Sequence, residues 1–148
     1  MTTGAGEPLF VDTNILVYGA VPEGPFYATA RQALETHVAL GSALWVSRQI
    51  LREFLAVLTR PQEFTPPIPI EVLAPAVRRF ESLMQVADET AEVTARLLTL
   101  LEVVPCGGKQ IHDANIVATM QVIGVRRLLT ANPSDFHRFG SLITLGPL

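Results

Sequence analysis

The stretch Leu9-Phe10-Val11-Asp12-Thr13-Asn14-Ile15-Leu16-Val17-Tyr18 decides the fold. Three apolar residues run straight into a carboxylate, a hydroxyl and an amide, after which the apolar character returns. A short apolar run of this kind fits a strand buried on both faces. A carboxylate at its carboxyl end is costly unless it is paired or put to use. The same juxtaposition recurs with Glu53 between Ile50-Leu51 and Phe54-Leu55, with Asp113 between Ile111 and Ala114, and with Asp135 beside Phe136. Four acids set among apolar neighbours point to one site for a hard cation.

Outward from this stretch, strand and helix patterns alternate. Pro25–Leu40 reads as a helix, with a proline near its start and Gly41 at its end. Leu44–Val46 is a second strand; Ser47 is a good N-cap for a helix that runs to about Arg60 and stops at Pro61. The proline-rich stretch Gln62–Pro69 is a loop. Ile70–Met84 carries Leu73, Val77, Phe80 and Met84 at helical spacing, and Val86-Ala87 is a short link. Glu89–Leu101 is another amphipathic helix, and Gln110–Ile123 is a helix closed by Gly124. Arg127–Leu129 reads as a third strand, Pro133–Phe139 as a turn or single helical turn, and Leu142–Thr144 as a last strand.

Short strands separated by helices indicate an α/β sandwich around a mainly parallel sheet. In such sheets ligands bind beyond the carboxyl ends of the strands. Asp12 and the Thr130–Asp135 segment follow two different strands at that edge, Asp113 lies in the first turn of its helix, and Glu53 borders its helix's apolar stripe beside Ile50 and Val57. Each acid also has an ordinary reading. Asp12 can cap a helix, Glu53 can be a surface residue, Asp113 can be a first-turn acid favoured by the helix dipole, and Asp135 can shape a turn. Four unrelated accidents would not place all of them at matching corners of one sheet.

The chain's 148 residues, 49% of them hydrophobic, suit one domain spanning residues 1–148 with a sizeable core. A net charge of −3 argues against a generally basic nucleic-acid footprint, although Arg48, Arg52, Arg60, Arg126, Arg127 and Arg138 are candidates for a local basic patch. A single cysteine, Cys106, and an opening Met1–Glu7 without a basic-then-apolar leader lead us to expect a cytoplasmic protein. No apolar run reaches the roughly 18 residues of a membrane helix. The mean hydropathy of +0.34 therefore reflects a core, and its apolar surplus hints at an obligate dimer or another partner.

Carboxylates suit Mg²⁺ or Mn²⁺, hard cations that take oxygen ligands and sit between acids and substrate phosphates. Such a site activates water and neutralises a phosphodiester under attack. His37, His112 and His137 are too few and too scattered for zinc.

The ordered set Leu9–Asn14, then Arg52-Glu53-Phe54 with Thr59-Arg60-Pro61, then Ile111-His112-Asp113-Ala114, then Leu129–Phe136, resembles a PIN domain. More closely, it resembles the VapC-like toxins of bacterial and archaeal toxin–antitoxin pairs, over nearly the whole chain. The resemblance implies a three-layer α/β/α fold and an endoribonuclease. In it, Asp12, Glu53, Asp113 and Asp135 would hold Mg²⁺ or Mn²⁺ and activate water for cutting single-stranded or loop RNA. It implies supporting roles for Thr130 and Asn132, and for Asn14 unless Asn14 merely starts a helix. It further implies a homodimer silenced by a cognate antitoxin whose tail lies in the groove near the acids.

Three other readings compete. A non-catalytic module would use the same groove to hold RNA or a protein without cutting. The order His37, His112-Asp113, Asp135 is similar to that of HD-type metal phosphohydrolases, but their fold is all helical. Asp12-Thr13-Asn14 is faintly similar to aspartyl phosphatases, but Asn14 stands where a second acid is needed as general acid.

Overall fold

The computed structural model describes residues 6–146. Met1–Ala5, the larger part of the opening stretch read above, lies outside the described residues, as do Pro147 and Leu148. The elements run β1 (Leu9–Val11), α1 (Thr13–Tyr18), α2 (Tyr27–Ala39), β2 (Leu44–Ser47), α3 (Arg48–Leu58), α4 (Ile70–Leu83), β3 (Gln85–Ala87), α5 (Ala91–Val103), α6 (Gln110–Ile123), β4 (Arg127–Leu129), a 3-10 segment (Pro133–Leu142) and β5 (Thr144–Gly146).

The five strands form one sheet in the order β3-β2-β1-β4-β5, and every neighbouring pair is parallel. β1 is its middle strand. Leu9, Phe10 and Val11 point alternately to opposite faces, yet all three are fully buried, so helices cover the sheet on both sides. Burying each of these side chains stabilises by roughly 1.5–3 kcal/mol. The result is the expected three-layer α/β/α arrangement.

Chain order reverses beside β1. From there the chain steps outward through β2 and β3, then returns to the other side of β1 to lay down β4 and β5. That reversal makes the carboxyl ends of β1 and β4 the topological switch point, the place where an open α/β sheet binds ligands.

Local signals account for the boundaries. The Ser47 hydroxyl accepts the Ile50 N–H at 3.3 Å and starts α3, and Gly124 ends α6 with φ +76°, a left-handed conformation that glycine adopts without strain. Three expectations need correcting. Val86-Ala87 belongs to a strand, β3, which pairs with β2; three residues between two helices are too few to show a period. α5 starts at Ala91, two residues later than expected, because Thr90 caps it by accepting the Val93 N–H at 3.4 Å. The last strand is Thr144–Gly146 instead of Leu142–Thr144, because the 3-10 segment continues to Leu142. No helix among the described residues is long and apolar enough to cross a membrane.

Candidate active site

Asp12 leaves the end of β1 and is only 7% exposed. Its N–H bonds to the Leu129 carbonyl at 3.0 Å, which locks the two strand ends together. Its Oδ1 accepts the Thr13 N–H at 2.8 Å, so Asp12 does cap α1. Its other oxygen, Oδ2, accepts the Thr130 hydroxyl at 2.8 Å and the Asn14 amide at 3.3 Å. The capping reading therefore holds for this residue, and its second oxygen is engaged by residues from the neighbouring strand end and from α1.

Glu53 comes in from α3. Its Oε1 accepts the Thr13 hydroxyl at 2.6 Å, and its Oε2 accepts the Gln49 amide at 3.0 Å. The same Gln49 nitrogen reaches the His112 carbonyl at 2.9 Å, while its Oε1 accepts the Asn115 amide at 2.7 Å. One buried side chain thus ties α3 to the start of α6, where Asp113 stands in the first turn.

Asp113 and Asp135 are held differently. Among the described residues neither carboxylate accepts a hydrogen bond, and each remains at least partly open to solvent. Asp135 opens the 3-10 segment, where its N–H bonds to the Asn132 carbonyl at 3.1 Å.

Electrostatics joins the four acids. Burial pushes the Asp12 carboxyl above its usual range, the bonds from Thr130 and Thr13 pull it back, and the charges of Glu53 and Asp135 raise it again. Asp113 is pushed up to about 6, first by burial and then by the charges of Asp12, Asp135 and Glu53, with Arg138 opposing. Asp12 thus feels the charges of Glu53 and Asp135, and Asp113 those of the other three acids.

Among the described residues, no three His, Cys, Asp or Glu side chains already form a closed metal-ligand cage. The donor set is nonetheless all oxygen, and two of its carboxylates have lone pairs that no protein donor uses. Those are the features Mg²⁺ or Mn²⁺ asks for, since such ions bind through one or two carboxylates plus water and phosphate. Clustered carboxylates that oppose one another's ionisation fit a bound cation, whose charge relieves that opposition.

The polar residues named from sequence divide. Thr130 and Asn14 both touch Asp12, and the Asn14 Oδ1 also accepts the Ala131 N–H at 3.1 Å, binding the β1 and β4 ends together. Asn132 acts through its backbone, its N–H donating to the Thr130 hydroxyl at 3.1 Å, while its exposed side chain makes no hydrogen bond among the described residues. Sequence reasoning missed Thr13, Gln49 and Asn115. Gln49 carried a usable signal, a glutamine four residues before Glu53 on one helix face.

A family model described as the PIN domain matches residues 9–142. The chain belongs to the PIN domain family. No curated protein matches this PIN domain in sequence. Solved structures with a similar fold include VapBC2 from Rickettsia felis bound to a DNA fragment from its promoter, at 20% identity, TM-score 0.67, covering 93% of this chain and 96% of that one. Mycobacterium tuberculosis VapC20, a sarcin-ricin loop cleaving toxin, is 19% identical with TM-score 0.63, over 81% and 86% of the two chains. A toxin–antitoxin complex from Klebsiella pneumoniae is 22% identical with TM-score 0.65, over 95% and 97%. The order of acids read from sequence is thus carried by a PIN domain.

Proposed function

We propose that this PIN domain is a metal-dependent endoribonuclease, and the toxin of a toxin–antitoxin pair. The observation that carries the reading is the electrostatic convergence of Asp12, Glu53, Asp113 and Asp135 at the sheet's switch point. Asp12, Asp113, Glu53 and Asp135 would hold Mg²⁺ or Mn²⁺, which supplies a Lewis acid, a lowered water pKa and charge to offset the phosphodiester. Thr130, Asn14 and Thr13 keep Asp12 and Glu53 oriented, and Gln49 keeps Glu53 and the Asp113 turn in register.

The toxin part rests on fold relatives. One is titled a sarcin-ricin loop cleaving toxin and another a toxin–antitoxin complex, which supports RNA as substrate and a cognate antitoxin as partner. A homodimer acting in the cytoplasm completes the proposal. The alternative reading is a module that binds beyond these strand ends without cutting.

One experiment separates them. Wild type and Asp12→Asn are expressed briefly in a bacterial host while growth is followed and new RNA 5′ ends are mapped. Discrete cuts in the wild type, gone in the variant, support the nuclease. No cuts and no growth arrest in either would leave only the binding module standing.

A further inference from the structure

Six arginines were candidates for a basic patch, and the structure sorts them. Arg48 is paired with Glu81 at 2.6 Å and Asp88 at 3.1 Å, and Arg52 with Glu89 at 3.3 Å. Arg60 donates to the Ala56 carbonyl, Arg126 to the Ser141 carbonyl, and Arg127 to the Glu7 carbonyl beside His37. Arg138 makes no hydrogen bond or ion pair among the described residues, and its charge acts on Asp113.

Its placement follows from a period of three. In the 3-10 segment, side chains at i and i+3 eclipse. Phe136 and Phe139 are such a pair, 1% and 2% exposed, with their rings 6.2 Å apart. They anchor the segment in the core. Asp135 and Arg138 are the pair one residue earlier, both exposed, and so they share the outward side. The backbone departs from helical geometry only beyond them, at Gly140. The segment therefore presents a carboxylate of the acid cluster and, one turn further, an uncommitted guanidinium. A fixed fork of N–H donors beside a cation site suits a phosphate, which Arg grips in bidentate fashion.

We infer that Arg138 is the phosphate-gripping residue of the site, seating a phosphodiester of the RNA strand against the acid cluster. This rests on the nuclease reading and extends it to a specific contact. It explains how a chain of net charge −3 holds a polyanion: one guanidinium, aligned by the two buried phenylalanines, works together with the cation.

The test uses the full chain, a fluorescein-labelled stem-loop RNA and Ca²⁺ in place of Mg²⁺, with affinity read by fluorescence anisotropy across a salt series. Arg138→Ala should weaken binding about 10- to 100-fold, as loss of a charge-assisted bidentate contact does. It should flatten the slope of log affinity against log salt by about 0.7, the share of one phosphate on a single strand. Arg138→Lys should keep the slope and recover only part of the affinity. Mn²⁺ binding, followed by electron paramagnetic resonance, should be unchanged or tighter in Arg138→Ala, since a positive charge has left the cluster. A purely structural role would leave the salt slope alone. If the wild type binds and Arg138→Ala matches it in affinity and slope, the assignment to Arg138 is overturned while the nuclease reading stands. If Mn²⁺ binding weakens in step with RNA binding, the assignment also falls, because Arg138 would then act through the acids. If the wild type neither binds nor cuts RNA, the nuclease reading falls and takes this inference with it.

Discussion

Thr130 donates its hydroxyl hydrogen to the Asp12 carboxylate at 2.8 Å, joining two residues 118 positions apart at the ends of adjacent strands. That bond holds the Asp12 carboxyl lower than burial alone would leave it. Thr130→Val keeps the shape and removes the donor. It should cost about 1.5–3 kcal/mol, the range for a hydrogen bond to a charged group. The Asp12 carboxyl should rise further, moving the acid limb of any pH–cleavage profile to higher pH, and Thr130→Ser should restore it. Thermal melts alongside pH–rate profiles check this; an unmoved acid limb in Thr130→Val would count against the role given to Thr130.

Asp113 should trade stability for activity. Its carboxyl is pushed up to about 6, so at neutral pH without metal its charged form opposes folding. Asp113→Asn should raise stability by about 1–2 kcal/mol, allowing about 1.4 kcal/mol per unit and discounting for its partial exposure. The same variant should lose RNA cleavage. Chemical denaturation and cleavage assays on one preparation decide it, and a variant that is both less stable and fully active would refute the picture.

The pH dependence has a definite sign. Asp113 and Asp12 both bind their protons more tightly folded than unfolded, and for Asp113 the unfolded chain holds fewer protons between the ordinary aspartate value of 3.8 and about 6. The stability that Asp113 contributes is therefore full below about pH 4 and is lost as pH rises through 6, and Asp12 acts with the same sign. Adding Mg²⁺ or Mn²⁺ at neutral pH should restore it, by about 2.7 kcal/mol at a hundredfold excess over the dissociation constant. Melting temperatures on a pH and metal grid test both halves. Metal that stabilises Asp12→Asn as much as wild type would point to binding elsewhere.

Gln49 carries more than its chemistry suggests. Gln49→Ala strips a donor from Glu53 and from the His112 carbonyl, and an acceptor from Asn115. Buried groups left without partners cost about 1–3 kcal/mol each, so the Glu53 and Asp113 ends should loosen together. Hydrogen exchange at the start of α6 should rise in this variant and cleavage should fall at least about tenfold, the rate equivalent of 1.36 kcal/mol. Unchanged exchange there would show that Gln49 does not couple the two helices.

The histidines should matter little. His37 sits beside Arg127, at the amino end of β4 and away from the acids, and His112 is exposed, lending only its carbonyl. His37→Ala and His112→Ala should each keep cleavage within about threefold, the rate equivalent of roughly 0.6 kcal/mol, since the half-buried His37 faces Arg127 and the imidazole of His112 is exposed. A phosphohydrolase that used these imidazoles would lose nearly all activity, and the parallel sheet already stands against that all-helical alternative.

Much of this was legible before any coordinates. The buried run Leu9–Val11, the Ser47 cap and the Gly124 stop each carry a local physical signal, so β1, α3 and α6 were placed within a residue or two. The grouping of the acids followed from one topological rule about the carboxyl edge of a parallel sheet. β3 escaped because its three residues owe their strand state to pairing with β2, a relation between distant segments. Thr13 and Asn115 escaped for the same reason, being ordinary helix residues until the acid or amide they touch arrives from another part of the chain. Arg138 was visible only as one arginine among several, and which of them were already spoken for could be learned only from their partners.

The 118-residue gap between Asp12 and Thr130 also sets an order of assembly. The sheet's central strand is made early during synthesis, yet the strand that joins it at the candidate site, β4, emerges after all six α-helices of the described residues, and the segment that carries Asp135 follows later still. No amino-terminal fragment that stops short of Asp135 holds all four acids, so the candidate site comes together only when most of the chain has been built.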